Sequence, residues 1–167
     1  MRGITLAFTV FAGSLLFGLP AAGACGDKVL RVGRGVRFQH PTHPASILIY
    51  VPPGAAADVA PRLQAFLKKA GHKPRVVQAA DGLGEALGSG QYDLVLTPLA
   101  EAAGLQNQIE ASPSKPLIVP VAAKATRAEV AAAKRLYGWL VRNPDDGDEY
   151  LEAIEVAMRS RARTPQG

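Results

Sequence analysis

The sequence predicts an α/β protein in which five short parallel strands alternate with helices, so that helices cover both faces of one sheet. Two observations support this fold class. Apolar runs typical of buried strands recur from about residue 45 onward, and segments with helical spacing of apolar residues lie between them. The chain has 167 residues, 48% hydrophobic and 20% charged, which suits a single globular domain, predicted here over residues 45–163.

The first predicted unit is a strand, a helix and a second strand. Ser46–Val51 is an apolar run closed by two prolines and a glycine. Asp58 is placed to cap the helix that follows, whose apolar residues recur on one face until Gly71 ends it. The second strand is predicted at Arg75–Val77, and His72, just before it, is predicted to be a solvated turn residue.

The middle of the chain repeats the pattern with weaker helices. A short helix is predicted at Asp81–Gly90, a strand at Asp93–Thr97 and a moderately amphipathic helix at Glu101–Ile109. The fourth strand is Leu117–Val121. Pro120 lies inside it and cannot donate a ladder hydrogen bond, so we expect this strand to be irregular or near an edge.

The last predicted helices have the clearest signals at their ends. Thr126 and Glu129 form a capping box that starts the fourth helix. Trp139–Val141 is predicted as a short fifth strand. The final helix, Asp148–Arg161, ends on basic residues that suit its dipole. Alternation of this kind implies a three-layer, doubly wound parallel sheet.

Residues 1–24 have the pattern of a secretory signal peptide. Arg2 supplies a positive start, Ile4 to Leu19 is a nearly continuous apolar run, and the small residues of Pro20–Ala24 suit cleavage. The apolar run is shorter than the roughly 20 residues that a spanning helix needs. We therefore expect an exported protein without a transmembrane helix in its mature form.

Cys25, the only cysteine, would be the first residue after that cleavage. The preceding Ala22-Gly23-Ala24 resembles a bacterial lipobox, with Ala22 where leucine is usual, and it also fits ordinary signal-peptide removal. Two alternatives therefore stay open: a lipoprotein anchored through a lipidated Cys25, and a soluble periplasmic protein. Residues 25–44 form a basic extension that could dock on the domain or act as a tether.

The net charge of +5 is modest and is best explained by solubility, although its basic patches could contact anionic lipid or an acidic partner. Export argues against nucleic acid as a partner.

His40 and His43 lie three residues apart, but the sequence supplies no third ligand beside them, so no metal site and no cofactor are predicted.

Several segments, in order and spacing, resemble one known family. They are Ser46–Val51, Ala79–Gly82 with Glu85–Leu87, Tyr92–Leu96, Lys115–Val119 and Leu140–Arg142. Together they make the chain from about Ala45 to Arg161 similar to the receiver domain of two-component response regulators. The resemblance implies a flavodoxin-like, five-stranded, doubly wound fold.

The positions that match the functional residues of that family hold different side chains here. They are Val51 and Pro52 for the acidic pair that binds magnesium, Pro98 for the phosphoacceptor (Thr97 if the alignment shifts by one), Val121 or Ala122 for the Ser/Thr switch, and Arg142 for the lysine. Phosphoryl transfer needs a carboxylate to attack and a metal to neutralise charge. The resemblance therefore implies a receiver-like fold with a degenerate phosphoacceptor position and no enzymatic activity.

A candidate binding site lies at the carboxyl edge of the predicted sheet. Its residues would be Thr97, Lys124, Arg142 and Asn143, which could converge on a small anion. The competing interpretation is an unoccupied vestige with solvated cations. Two functions therefore remain open. One is a non-catalytic pseudo-receiver, a protein-interaction or regulatory module for an unidentified envelope partner; the other is a periplasmic protein that binds a small anionic ligand.

Overall fold

The computed structural model describes residues 41–55 and 58–163. Four strands and five helices follow one another along this part of the chain. Their bounds are β1 (Ser46–Val51), α1 (Val59–Lys69), β2 (Lys73–Gln78), α2 (Ala80–Ser89), β3 (Leu94–Pro98), α3 (Leu99–Ala111), β4 (Leu117–Val121), α4 (Arg127–Tyr137) and α5 (Gly147–Arg163). The predictions for residues 1–24, for Cys25 and His40, and for most of the basic extension lie outside the described residues.

The strands form one parallel sheet in the order β2-β1-β3-β4, with helices on both of its faces. Successive side chains of β1 point to opposite faces, as strand geometry requires. Ile47 and Ile49 join the core beneath α1 and α5, whereas Leu48 and Tyr50 join the core beneath α2 and α3. The result is an α/β sandwich whose strand order is compatible with a flavodoxin-like fold.

The prediction of a five-stranded sheet is wrong, because the described residues form a sheet of four strands. The predicted fifth strand, Trp139–Val141, contributes a single parallel bridge between Val121 and Val141. In that bridge the Val141 N–H donates to the Pro120 carbonyl at 2.9 Å, and the Ala122 N–H donates to the Val141 carbonyl at 2.7 Å. Residues 139–141 thus lie where a fifth strand would pair with β4, but they form a single bridge instead of a strand.

Pro120 prevents this bridge from extending toward Trp139. Alternate residues of β4 bond to β3, which leaves the backbone groups of Ile118 and Pro120 on the outer side. The next parallel hydrogen bond would need an N–H from Pro120, and proline has none. The Ile118 carbonyl instead accepts a hydrogen bond from the indole N–H of Trp139 at 2.8 Å. Pro120 therefore lies on an edge strand, as its sequence context predicted.

The opposite edge of the sheet is protected in a similar way. The Lys73 N–H donates to Ala45 on the inner side of β2, so the neighbouring Pro74 faces outward, and its carbonyl accepts from the Gln64 side chain at 3.3 Å. Each edge strand therefore has a residue without an N–H on its outer side. Such edges pair poorly with further strands.

Two helix starts that were predicted from capping residues have different outcomes. The capping box of α4 is confirmed: the Glu129 N–H donates to the Thr126 hydroxyl oxygen at 3.3 Å, and the Thr126 N–H donates to the Glu129 carboxylate at 2.7 Å. Asp58 does occupy the N-cap position of α1, but its side chain makes no capping hydrogen bond. It forms an ion pair with Arg62 one turn later.

His72 is buried, so its interpretation as a solvated turn residue is wrong. Only 5% of the residue is exposed, and its Nδ1 accepts the Ala45 N–H at 3.3 Å. Burial lowers the pKa of His72, an effect that the Glu155 carboxylate partly opposes. The neutral imidazole is the form that accepts this hydrogen bond, because a protonated ring has no free acceptor nitrogen.

The burial of His72 predicts a loss of stability in mild acid. Because the folded-state pKa lies below the ordinary value of 6.5, the unfolded chain takes up a proton first as the pH falls. The stability from neutral His72 is therefore complete above pH 6.5 and declines below it. His72→Asn keeps an acceptor but does not titrate. In urea unfolding between about pH 8 and about pH 5, the stability advantage of the wild type over this variant should shrink; parallel profiles would contradict the prediction.

Candidate functional site

A cavity of about 560 Å³ opens at the carboxyl edge of the sheet, where β1, β3 and β4 end. Its walls are mainly apolar and reach into the core. They include Ile49, Val51, Leu63, Leu96, Pro98 and Val121. In open α/β sheets this edge is where ligands bind, so this cavity is the candidate functional site.

Three of the positions that were matched above to functional residues of receiver domains line this cavity, at the ends of β1 and β3. Val51 is the last residue of β1, Pro52 follows it, and Pro98 ends β3 and directly precedes α3. Pro98 is also paired with Val121 across the β3–β4 ladder. None of these four side chains offers an oxygen, nitrogen or sulfur atom, so this part of the wall can contribute van der Waals contact only.

Thr97 and Lys124, two of the four predicted site residues, both line the cavity. Thr97 is 1% exposed, and its hydroxyl donates to the Pro98 carbonyl with an O···O distance of 3.4 Å. Lys124 is exposed in the loop between β4 and α4. The cavity therefore has a small buried hydroxyl within its wall and one ammonium group among its lining residues.

Arg142 and Asn143, the other two predicted residues, are held elsewhere by Glu149. The Glu149 carboxylate accepts the Arg142 N–H at 2.7 Å and the Asn143 N–H at 3.0 Å, and the Arg142 guanidinium donates to it at 3.4 Å. Arg142 lines a separate depression of about 260 Å³ together with Glu149 and Trp139. The four predicted residues are therefore divided between two places, and the carboxyl-edge cavity holds Thr97 and Lys124.

Three polar residues of the cavity were missed by the sequence analysis: Tyr50, Asp145 and Tyr150. Burial is the main reason that the pKa of Tyr150 is raised to about 12, and the negative charges of Asp145 and Glu149 add to it. Its phenol therefore stays protonated at neutral pH. Tyr50 lies inside an apolar strand run, and Asp145 and Tyr150 lie beyond the predicted sheet, so local pattern offered no signal for any of them.

The described residues do not bring together three His, Cys, Asp or Glu side chains that could hold a metal ion. His43, half of the histidine pair considered above, instead places its Nδ1 2.8 Å from the Glu155 carboxylate on α5. Within the same part of the chain, no helix is both long enough and apolar enough to cross a membrane.

Comparison with known proteins bears on the fold alone. No protein-family model and no curated protein sequence matches the chain. It is similar to a solved structure described as the yeast Spc42 trimeric coiled coil, amino acids 181–211, fused to another structure. The match has a TM-score of 0.57 and 17% sequence identity, and it covers 72% of this chain and 83% of that chain. The coiled-coil segment is too short to account for that coverage, so the likeness extends into the fused part.

Proposed function

We propose that this protein is a non-catalytic, receiver-like module of the cell envelope that works by contacting another protein. The observation that carries this proposal is the identity of the residues at the carboxyl edge. Val51, Pro52 and Pro98 occupy the strand ends at which the family resemblance would place an acidic pair and a phosphoacceptor. Aspartyl phosphorylation requires a carboxylate nucleophile and a bound Mg²⁺, and these side chains can supply neither.

The strand order adds support to the receiver-like interpretation. The flavodoxin-like order is 2-1-3-4-5, and the sheet has the order β2-β1-β3-β4 with Val141 bridged beside β4 at the fifth position. A fold that keeps this strand arrangement but lacks the reactive side chains can still present binding surfaces, although it cannot carry out phosphoryl transfer. Binding to a protein partner is one function that such a scaffold can still perform.

Exposure to phosphoryl donors tests the non-catalytic half of the proposal. Acetyl phosphate, or beryllofluoride, is added together with Mg²⁺ to the purified protein and to an active receiver domain as a reagent control. The intact mass and the unfolding temperature of this protein should not change. Pro98→Asp is a sharper control, since it restores one carboxylate without the metal-binding pair and should also stay unmodified. A covalent adduct on the wild type would overturn the proposal.

Crosslinking in living cells tests the other half, which concerns the partner. Amine-reactive crosslinks recovered with this protein and identified by mass spectrometry should join it reproducibly to an envelope protein. Recovery of cytoplasmic proteins alone would contradict the proposed location and role.

The proposal includes export, and lipid attachment at Cys25 as its anchored form. Two acyl chains bury enough methylene groups to make release from a membrane negligible. Cys25→Ser should therefore move the protein from the detergent-extracted membrane fraction to the osmotic-shock fluid, as judged by immunoblotting. A wild-type protein that is already in that fluid with a free thiol is the soluble periplasmic alternative, and it would refute lipidation without touching the interaction role.

A second candidate function, binding of a small anionic ligand, is favoured by the cavity itself. Its volume of about 560 Å³ lies within the range of small-molecule sites. Its apolar walls and the single ammonium of Lys124 suit a molecule with an apolar body and one carboxylate. Since Arg142 is engaged by Glu149, Lys124 is the cation that we expect to contact such a ligand.

Thermal-shift measurements with carboxylates of increasing aliphatic length test this candidate. A ligand at a hundred times its dissociation constant adds about 2.7 kcal/mol of stability. Lys124→Ala should weaken the shift, and Arg142→Ala is the matched control that should not. If no carboxylate raises the unfolding temperature, or if Lys124→Ala responds like the wild type, the anion-binding candidate is wrong.

A further inference from the structure

An apolar groove runs between α3 and α4. Two adjoining depressions of about 560 and 480 Å³ form it, and Ala103, Leu136 and Tyr137 line both. Ala133 is the one buried residue of α4, so this helix is lightly packed. Leu136 is 74% exposed, more than any other large hydrophobic residue in the described part of the chain.

The two helices that flank the groove carry opposite charges. Helix α3 has Glu101 and Glu110 and no basic residue, whereas α4 has three basic residues against Glu129, which is used in its capping box. These charges are exposed. The acidic residues of α3 and the basic residues of α4 also lie at corresponding levels along the two helix axes. Glu101 lies in the first turn of α3 and Arg127 in the first turn of α4, while Glu110 and the remaining basic residues of α4, Lys134 and Arg135, lie in the last turns.

We propose that the α3–α4 groove is a homodimer interface, closed by a second copy of this chain about a two-fold axis parallel to the groove. Each helix follows a strand of the same parallel sheet, so α3 and α4 run in the same direction. The rotation places α3 of one copy over α4 of the other. Glu101 then faces Arg127 of the partner subunit, and Glu110 faces Lys134 and Arg135 of the partner subunit.

Leu136 gives the same arrangement an apolar centre. Rotation about an axis along the groove brings the two copies of Leu136 to the same level, one from each side, where each fills part of the space lined by Ala103 and Tyr137. The alternative in-plane axis, perpendicular to the groove, would place α3 on α3 and α4 on α4. That arrangement sets like charges against each other and is disfavoured.

Other routes to self-association are less favourable in this fold. Pro74 and Pro120 protect the two sheet edges against strand pairing, as described above.

The surface formed by α3 and α4 is small, however. Helices of 13 and 11 residues are about 20 and 16 Å long and pack about 10 Å apart, so the face covers about 400 Å² on each copy. The total of about 800 Å² lies below the range of stable interfaces and within that of weak, transient contacts, so we expect a weak, reversible dimer.

Sedimentation velocity of the protein purified from cells tests this inference. From about 1 to about 500 µM, the wild type should shift from monomer to dimer, and the shift should weaken in high salt. Leu136→Asp should remain monomeric, and at about 1 µM, where the wild type is also monomeric, the two unfolding temperatures should agree. Arg135→Glu and Glu110→Arg should each weaken the dimer, and the two together should restore it. Val59→Asp, at an exposed apolar residue of α1, is the matched control and should dimerise normally.

Three outcomes would overturn the homodimer. They are a wild type that stays monomeric throughout, a dimer that survives Leu136→Asp, and a charge-reversed pair that associates no better than its single variants. A sharp fall in the unfolding temperature of Leu136→Asp would also overturn it, because the groove would then be filled by another part of the same chain. The inference needs no receiver likeness, so a phosphorylated wild type would leave it intact, and a monomeric protein would leave the proposed interaction role standing.

Discussion

Arg161→Ala is expected to lower the free energy of unfolding by about 2–3 kcal/mol. The Arg161 guanidinium donates to the carbonyls of Ser114 at 3.0 Å, Lys115 at 3.2 Å and Asp93 at 3.4 Å, and it also lies 3.6 Å from the Asp93 carboxylate. That carboxylate in turn accepts the Ser46 N–H at 2.8 Å. Alanine would remove these contacts at the amino end of the sheet. The partly buried Ser114 carbonyl would lose this donor, whereas the Asp93 carbonyl keeps the Leu117 N–H at 2.9 Å.

Two matched variants make the Arg161 measurement specific. Arg161→Lys keeps the charge but lacks the planar fork of donors, so chemical denaturation should give an intermediate stability. Arg163→Ala removes an exposed arginine from the same helix end and should change stability by less than about 0.5 kcal/mol. If Arg161→Ala unfolds at the same denaturant concentration as Arg163→Ala, the carbonyl contacts do not stabilise the fold.

Gly147→Ala is expected to cost about 1–3 kcal/mol through overpacking. Gly147 is the first residue of α5 and is buried, and a Cβ atom there would lie 2.5 Å from Cζ of the Phe66 ring on α1. The two helices cover the same face of the sheet, so relief would require the ring or α5 to move within a packed core. Thermal or urea unfolding of the purified variant measures the effect.

A double-mutant cycle shows whether Phe66 is the cause. Phe66→Leu removes the ring carbon that the new methyl group would meet, so Gly147→Ala should cost much less in that background. Gly84→Ala is the matched glycine control, since a Cβ at this exposed position of α2 meets nothing within 4 Å. It should stabilise the protein by about 0.5–1 kcal/mol. Equal costs for Gly147→Ala with and without Phe66 would show that the close approach is not responsible.

The candidate site shows where local sequence stops being informative. Thr97 and Pro98 were placed correctly at the end of β3, because an apolar run and the turn after it locate a strand end. Arg142 and Asn143 were expected in the same place. Their actual partner, Glu149, lies in the first turn of α5, where a carboxylate can accept from backbone N–H groups of the preceding loop. An acidic residue in a first helical turn was the one signal that could have predicted this.

Apart from the predicted fifth strand, the sequence by itself determined which of the described segments are strands and which are helices, and it determined the apolar character of the strand ends. These features depend on hydrophobic periodicity and on residues such as the Thr126 capping box, whose partners lie within a few positions along the chain. Predicted helix and strand ends were displaced by only a few residues, as expected where the terminal turns depend on neighbours.

Only the tertiary structure decided the number of strands, the surroundings of His72 and the shape of the α3–α4 groove. The fifth strand is reduced to one bridge because the outward side of Pro120 lacks an N–H and the Trp139 indole occupies the Ile118 carbonyl. His72 is buried in a place where its acceptor nitrogen meets the N–H of Ala45, which is 27 residues away. Each of these results depends on which backbone groups meet across the sheet, and that register is set by the packing of the whole domain rather than by any local run of residues.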